Sequence, residues 1–428
     1  MERVYIADAK CGERNQFRGF VENIRNKRAM AFLVIRDVSG KMQLTIEKEK
    51  YPELAEVVDQ LSLESVVTVE GEVVANEYVK LNGIEMLPDK MVIESTAEAL
   101  PLQKDANIDT KMDYRWIDLR EEKNLLMFKV QSYMVNCMRE FLTERNFIEI
   151  HSPKLIAAAS ESGSDVFEVK YFDRNAYLCQ SPQFYKQMAM AAGFERIFET
   201  GPVFRAEKSF TNKHATEFTG FDLEFSYIDS FEDVMKMEEE LLAYALEKVA
   251  EKYGEKIKEL FGLEVIVPKL PFPRMKLADV YAELKERYGF EVPESELGDL
   301  TTDAERLCAQ LAKDKFDHEF LFITDYCAEK RAFYHMRENG IPQGYDLIWR
   351  GVEITTGAQR EHRYEILKAQ AAEKGLEEDV KFYLDFFKYG CPPHGGFGIG
   401  VDRLTMILLG TVIKESMFLF RGPNRLTP

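Results

Sequence analysis

A chain of 428 residues is long enough for two or three domains of roughly 100–200 residues each. Hydrophobic residues at 46% and aromatics at 12% imply large folded cores and exclude global disorder, and no apolar run approaches the ~20 residues needed to cross a bilayer. The net charge of −18 argues against indiscriminate nucleic-acid binding, although a local basic strip on an acidic protein can still hold phosphates.

The N-terminal MERVYIADAKCGER carries acids and no apolar core, so it is not a signal peptide, and the expected compartment is the cytoplasm. From Phe17 to about Ile93 short runs read as strands: FRGFVENI alternates, AFLVIRD is a buried run, and GKMQLTI restarts after a Gly turn. YPELAEVVDQL is helical, and VVTVEGEVVA returns to strand. That order fits a small Greek-key barrel of the OB type over residues 1–95. On such a surface Phe32 can stack on a base, while Arg25 and Gln43 can read base edges or phosphate; Phe32 as a plain core residue is an equal alternative.

A polar connector follows at residues 96–122 and reads as a hinge. The third region, residues 123–428, opens with a helix whose apolar stripe is Leu126, Val130, Tyr133, Met134, Cys137, Phe141 and Leu142. FIEIHSPKLI is extended and interrupted at Pro153. A mainly helical insertion is expected over about 231–335. The six cysteines (Cys11, Cys137, Cys179, Cys308, Cys327, Cys391) show no CxxC spacing, which argues against a disulfide framework or structural zinc site.

The most informative stretch is Gly201 to Glu224, GPVFRAEKSFTNKHATEFTGFDLE. Alternation on both sides of a polar, basic loop suggests two strands joined by a long cationic loop. Such a hairpin can hold a nucleotide: a guanidinium (Arg205) on phosphate, a ring (Phe218) on a base, carboxylates for an ammonium or a metal. In PPHGGFGIGVDRLTMILLG the glycines allow close backbone approach, and Arg403 lies in the first turn of an amphipathic helix. In YDLIWRGVEITTGAQREH, Asp346 and Glu353 can converge on one hard cation if the segment is a strand pair.

In this order these segments resemble motifs 1, 2 and 3 of class II aminoacyl-tRNA synthetases, in the archaeal and eukaryotic form of the aspartate enzymes. The resemblance covers essentially the whole chain. It implies an α+β architecture: an OB-type anticodon-binding barrel, then an antiparallel sheet flanked by helices, paired as a homodimer through motif 1. The implied reaction is ATP-dependent attachment of L-aspartate to tRNA through an aspartyl-adenylate.

For the site, the resemblance implies that Arg205 and Arg403 hold phosphates and stabilise charge. Glu207, Lys213, His214, Phe218 and Glu353 complete the ATP site. Lys186 and Arg360 take the side-chain carboxylate of aspartate, Glu161 and Asp222 its ammonium, and Ser181 and Gln183 its remaining polar atoms. Asp346, Glu353 and Thr356 hold Mg²⁺; Arg25, Phe32 and Gln43 meet the anticodon. Two cations facing the substrate side chain favour a carboxylate over an amide. Phe210 and Lys213 stand in the motif-2 loop where relatives usually carry asparagine and arginine. The alternatives are an aspartate-activating amide ligase that uses no tRNA, or an enzyme that misacylates the asparagine tRNA.

Overall fold

The computed structural model describes residues 2–103, 105–157, 166–207 and 214–428. The chain divides into two compact units, Met1–Tyr114 and Arg115–Pro428. The division falls inside the expected connector, but Arg115 is not part of a solvated hinge. It is 1% exposed, pairs with Asp118, and donates to the carbonyls of Glu415 and Met417. A buried guanidinium needs such partners, and it has them within the second unit.

The first unit is a closed barrel of β1 (Arg14–Asn26), β2 (Met30–Arg36), β3 (Lys41–Glu47), β4 (Val66–Ala75) and β5 (Ile84–Ser95), in the order β1-β2-β3-β5-β4. β1 closes on β4, and β3 meets β5 in parallel. Strict alternation in β2 and β3 sends Leu33, Ile35, Leu44 and Ile46 inward, all fully buried. Helix α1 (Pro52–Asp59) begins on a proline, whose missing N–H costs nothing in a first turn.

In the second unit α2 (Glu122–Thr143) buries the expected stripe, except that Tyr133 is half-buried and packs edge-on against Tyr253. The main sheet is mixed. Its strands are β6 (Ile148–Glu149), β7 (Arg196–Phe204), β8 (Glu217–Ser226), β9 (Arg274–Lys276), β10 (Phe320–Thr324), β11 (Gly344–Trp349), β12 (Val352–Gln359) and β13 (His394–Gly400). They lie in the order β9-β10-β11-β12-β13-β8-β7-β6, antiparallel except for the outermost pair at each edge. The expected hairpin is β7–β8, in register from Arg196↔Phe225 to Phe204↔Glu217.

Segment 231–335 is less separate than an insertion. Helix α4 (Phe231–Phe261) has a capping box at Ser230 and Asp233 and ends on left-handed Gly262. The same segment then gives β9 and β10 to the main sheet. Helix α3 (Gln183–Ala191) precedes β7, and α5 (Val401–Leu409) follows β13. Gly357 on β12 lies under the ring of Tyr345, where a Cβ would overlap it. All six cysteines are free. Among the described residues no helix is long and apolar enough to cross a membrane.

Candidate active site

The central strands of the second unit form one wall of a cavity of about 320 Å³. It brings together Arg205, Glu207, His214 and Phe218 from the hairpin, Glu353, Thr356 and Arg360 from β12 and its end, and Arg403 from α5. Ser181, Gln183, Lys186 and Asp222 line the same space. Lys213 and Glu161 lie outside the described residues.

Arg205 leaves the end of β7 with its N–H on Thr216 O at 2.9 Å, and its guanidinium is 5.5 Å from the centroid of Phe218. Its Nε is buried with no hydrogen-bond partner among the described residues. A buried guanidinium N–H that lines a cavity is a donor suited to an anionic oxygen. Arg403 is steadied at the opposite wall, where Nη1 donates to Glu353 O at 2.9 Å. The turn before it is locked by Asp402, which accepts from Thr219 N at 2.8 Å. That strut, absent from the sequence reading, ties the start of α5 to β8.

At the other end, Lys186 is 1% exposed, with Nζ 2.9 Å from Asp222 and 3.6 Å from Glu224. Arg360 donates Nε to Glu224 at 3.0 Å and Nη2 to Gly396 O at 2.8 Å. Glu224 is fully buried; burial opposes its charge, but Arg360 and Lys186 outweigh it and hold the carboxyl below its ordinary range. The two cations are therefore not bare, as the charge argument from sequence assumed. Glu224 sits between them and Asp222 shares Lys186. Gly398 makes room: a Cβ there would lie 2.6 Å from Asp222 Oδ1.

Two buried histidines flank this cluster and neither was anticipated. His394 is pushed down to about 4, by burial first, and so is neutral at pH 7. Its Nδ1 donates to Pro392 O at 2.8 Å, which leaves Nε2 to accept from Gln187 Nε2 at 3.0 Å. His335, opposite Arg360 across an isolated bridge, is pushed well down by burial and then by Arg360 and Arg331. Gln183 lines the cavity but spends its amide on Gln187 at 3.0 Å, so it also braces α3.

The expected pair of carboxylates does converge. Asp346 and Thr356 face each other across β11–β12, and Thr356 Oγ1 lies 2.8 Å from Asp346 Oδ1 and 3.2 Å from Glu353 Oε1. Glu353, half-buried and open to the cavity, is pushed up to about 7 by burial and then by the charge of Asp346. Asp346 differs, because Arg331 grips both its oxygens at 2.7 and 2.6 Å. Arg331 was missed from the sequence; nothing in the string AEKRAFYH marks it. Among the described residues no cluster of three or more His, Cys, Asp or Glu is set to hold a metal unaided.

In the first unit, Arg25, Phe32 and Gln43 share the outer face of the barrel. Phe32 is half-buried on the outward side of β2, with the Arg25 guanidinium 4.6 Å from its centroid. Gln43 donates to the buried Glu85 at 2.9 Å, an orienting contact the sequence did not reveal.

Comparison with known proteins agrees with this geometry. Residues 107–420 match the family model described as tRNA synthetases class II (D, K and N), and residues 16–94 match an OB-fold nucleic acid binding domain. The chain is 43% identical to the aspartate–tRNA(Asp/Asn) ligase of Methanopyrus kandleri over 100% of both chains. It is 40% identical to the aspartate–tRNA(Asp) ligase of Pyrococcus furiosus, over 99% of this chain and 98% of that one. Among solved structures, asparaginyl-tRNA synthetase from Pyrococcus horikoshii with asparaginyl-adenylate superposes with a TM-score of 0.91 at 32% identity over 100% of both chains. Aspartyl tRNA synthetase from Entamoeba histolytica gives 0.88 at 30%, over 100% of this chain and 93% of that one.

Proposed function

Given that the chain belongs to the class II tRNA synthetases of the D, K and N family, and so charges tRNA with aspartate or asparagine through an ATP-derived adenylate, we propose that its amino acid is aspartate. The observation that carries this reading is the cavity floor, where two buried cations, Lys186 and Arg360, share one fully buried carboxylate, Glu224; once Asp222 turns to the substrate ammonium, one positive charge is left for a side-chain carboxylate. The names of the relatives at 40–43% identity over nearly their full length support it.

In this reading the side-chain carboxylate of aspartate docks on Lys186 and Arg360, and Asp222 and Glu161 take the ammonium. Ser181 and Gln183 position the rest. Arg205 holds the α-phosphate through its unpartnered Nε as the α-carboxylate attacks phosphorus and pyrophosphate departs. Arg403 and Phe218 hold adenine, with Glu207, His214 and Lys213 along the nucleotide. The 3′-terminal ribose hydroxyl then attacks the acyl carbon and AMP leaves. No side chain need act as nucleophile, and both buried histidines are neutral.

A divalent cation fits at Glu353. That carboxylate lines the cavity, and the Thr356 hydroxyl oxygen lies 3.2 Å from it on the same wall. When bound, Mg²⁺ would neutralise phosphate charge there. The barrel face at Arg25, Phe32 and Gln43 would meet the anticodon. Residues 122–156 would form the contact between two copies of the chain, and the enzyme would work in the cytoplasm.

The test is ATP–pyrophosphate exchange with aspartate against asparagine, then charging of the aspartate and asparagine tRNAs side by side. Aspartate should support exchange at least a hundredfold better; equal exchange with asparagine would sink the assignment. Charging of both tRNAs would place the chain with relatives named for both. Exchange without charging of either would favour the amide ligase.

A further inference from the structure

Asp346 is the better buried of the two carboxylates beside the nucleotide end of the cavity, at 4% exposure, yet it does not line that cavity, whereas Arg331, Glu353 and Thr356 do. A carboxylate offers about four lone-pair directions. Here Arg331 Nη1 and Nη2 take one on each oxygen, and the Thr356 hydroxyl takes another on Oδ1. The fork is planar, bidentate and nearly dry, with side-chain exposures of 10% for Arg331 and 6% for Asp346. The ring of Tyr326, 2% exposed, covers one face of the guanidinium at 3.6 Å.

We propose that Arg331 is the resident cation of Asp346, so that of the two carboxylates only Glu353 is available to a divalent metal. Asp346 then acts as an anchor: it fixes Arg331 against the wall and takes the Thr356 hydroxyl proton, which leaves the lone pairs of that oxygen beside Glu353. One carboxylate and one hydroxyl are too few oxygens for a hard cation, whose remaining positions must be filled by phosphate and water. The free protein therefore holds the metal weakly, and the metal enters with ATP. Arg331 is a positioning residue, acting through Asp346. This rests on the nucleotide-site reading above.

The test is Mn²⁺ binding followed by electron paramagnetic resonance, without nucleotide, on the native protein, Arg331→Gln and the double variant Arg331→Gln/Glu353→Gln. Removing the guanidinium frees both Asp346 oxygens beside Glu353. Arg331→Gln should gain one site at least tenfold tighter than any in the native protein, and the double variant should lose it. Native protein binding one Mn²⁺ as tightly as Arg331→Gln would overturn the proposal. A folded Arg331→Gln that gains no site would do the same. If Arg331→Gln fails to fold, Arg331→Lys asks the same question, because an ammonium leaves one Asp346 oxygen open. It should gain at least threefold, and no gain in a folded Arg331→Lys overturns the proposal. Aspartate-dependent pyrophosphate exchange by the native protein tests the nucleotide reading separately. Its absence would remove that reading while leaving the resonance result to judge Arg331.

Discussion

The outer face of the barrel and the floor of the cavity both present cations and rings for a ligand, but they are built on opposite electrostatic terms. On the barrel, Arg25 is exposed and rests on Phe32, a contact that can be exchanged for a base at small cost. In the cavity, Lys186, Arg360 and Glu224 are each at most 3% exposed, and both cations pair with the one carboxylate. Removing a barrel residue deletes a contact. Removing a cavity residue leaves a buried charge without its partner.

The largest consequence should follow Arg360→Ala, which leaves Glu224 in the core without its hydrogen-bonded cation and with only Lys186, 3.6 Å away. Breaking a buried pair costs about 3–5 kcal/mol, so the melting temperature should drop by several degrees and aspartate-dependent exchange should vanish. An unchanged melting curve would mean that the floor is wetter than its burial implies. Arg205→Ala comes next. Its guanidinium has an unpartnered donor, so the fold should survive while exchange falls by about 10²–10³-fold, the loss expected for one donor to a developing charge. Near-normal exchange would remove Arg205 from the phosphate. Phe32→Ala should be milder and confined to tRNA. Losing one stacked base is worth about 1–3 kcal/mol, read as a rise in KM for tRNA with exchange unaltered. If exchange falls as well, Phe32 is not acting through the anticodon.

The same contrast explains what the sequence made legible. The hairpin and glycine-rich motifs placed Arg205, Phe218 and Arg403 at one cavity. On the barrel the run AFLVIRD read as buried throughout and left Phe32 open between core and surface; β2 in fact alternates, because one side of the strand faces solvent, and Phe32 is on that side. Helix α4 was readable because its apolar period is sustained over the 31 residues it spans. Strands β9 and β10 were not, since three and five residues are too short to separate from the helices around them. Arg331 and Glu224 were missed as site residues for a different reason. Their meaning lies in partners 15 and 136 positions away, Asp346 and Arg360, and no local pattern encodes a pairing made by the sheet.

Glu238 sharpens the comparison from a third side, as a charge site buried with no cation. It lies on α4 behind the sheet, and the Tyr345 hydroxyl donates to its Oε2 at 2.7 Å. Burial, with the nearby charges of Asp346 and Glu239 adding to it, pushes its carboxyl up to about 8, so the folded protein keeps a proton that the unfolded chain releases near the ordinary value of 4.5. Between those two values the folded state binds more protons, so stability must fall as pH rises, by at most about 1.4 kcal/mol per unit from this group. Glu238→Gln carries no such proton. Its unfolding free energy, from urea titrations at pH 5, 6.5 and 8, should decline less steeply than that of the native protein. Parallel declines would show that Glu238 is ionised in the fold, and that a buried carboxylate in this protein can be held without the cation that Glu224 requires.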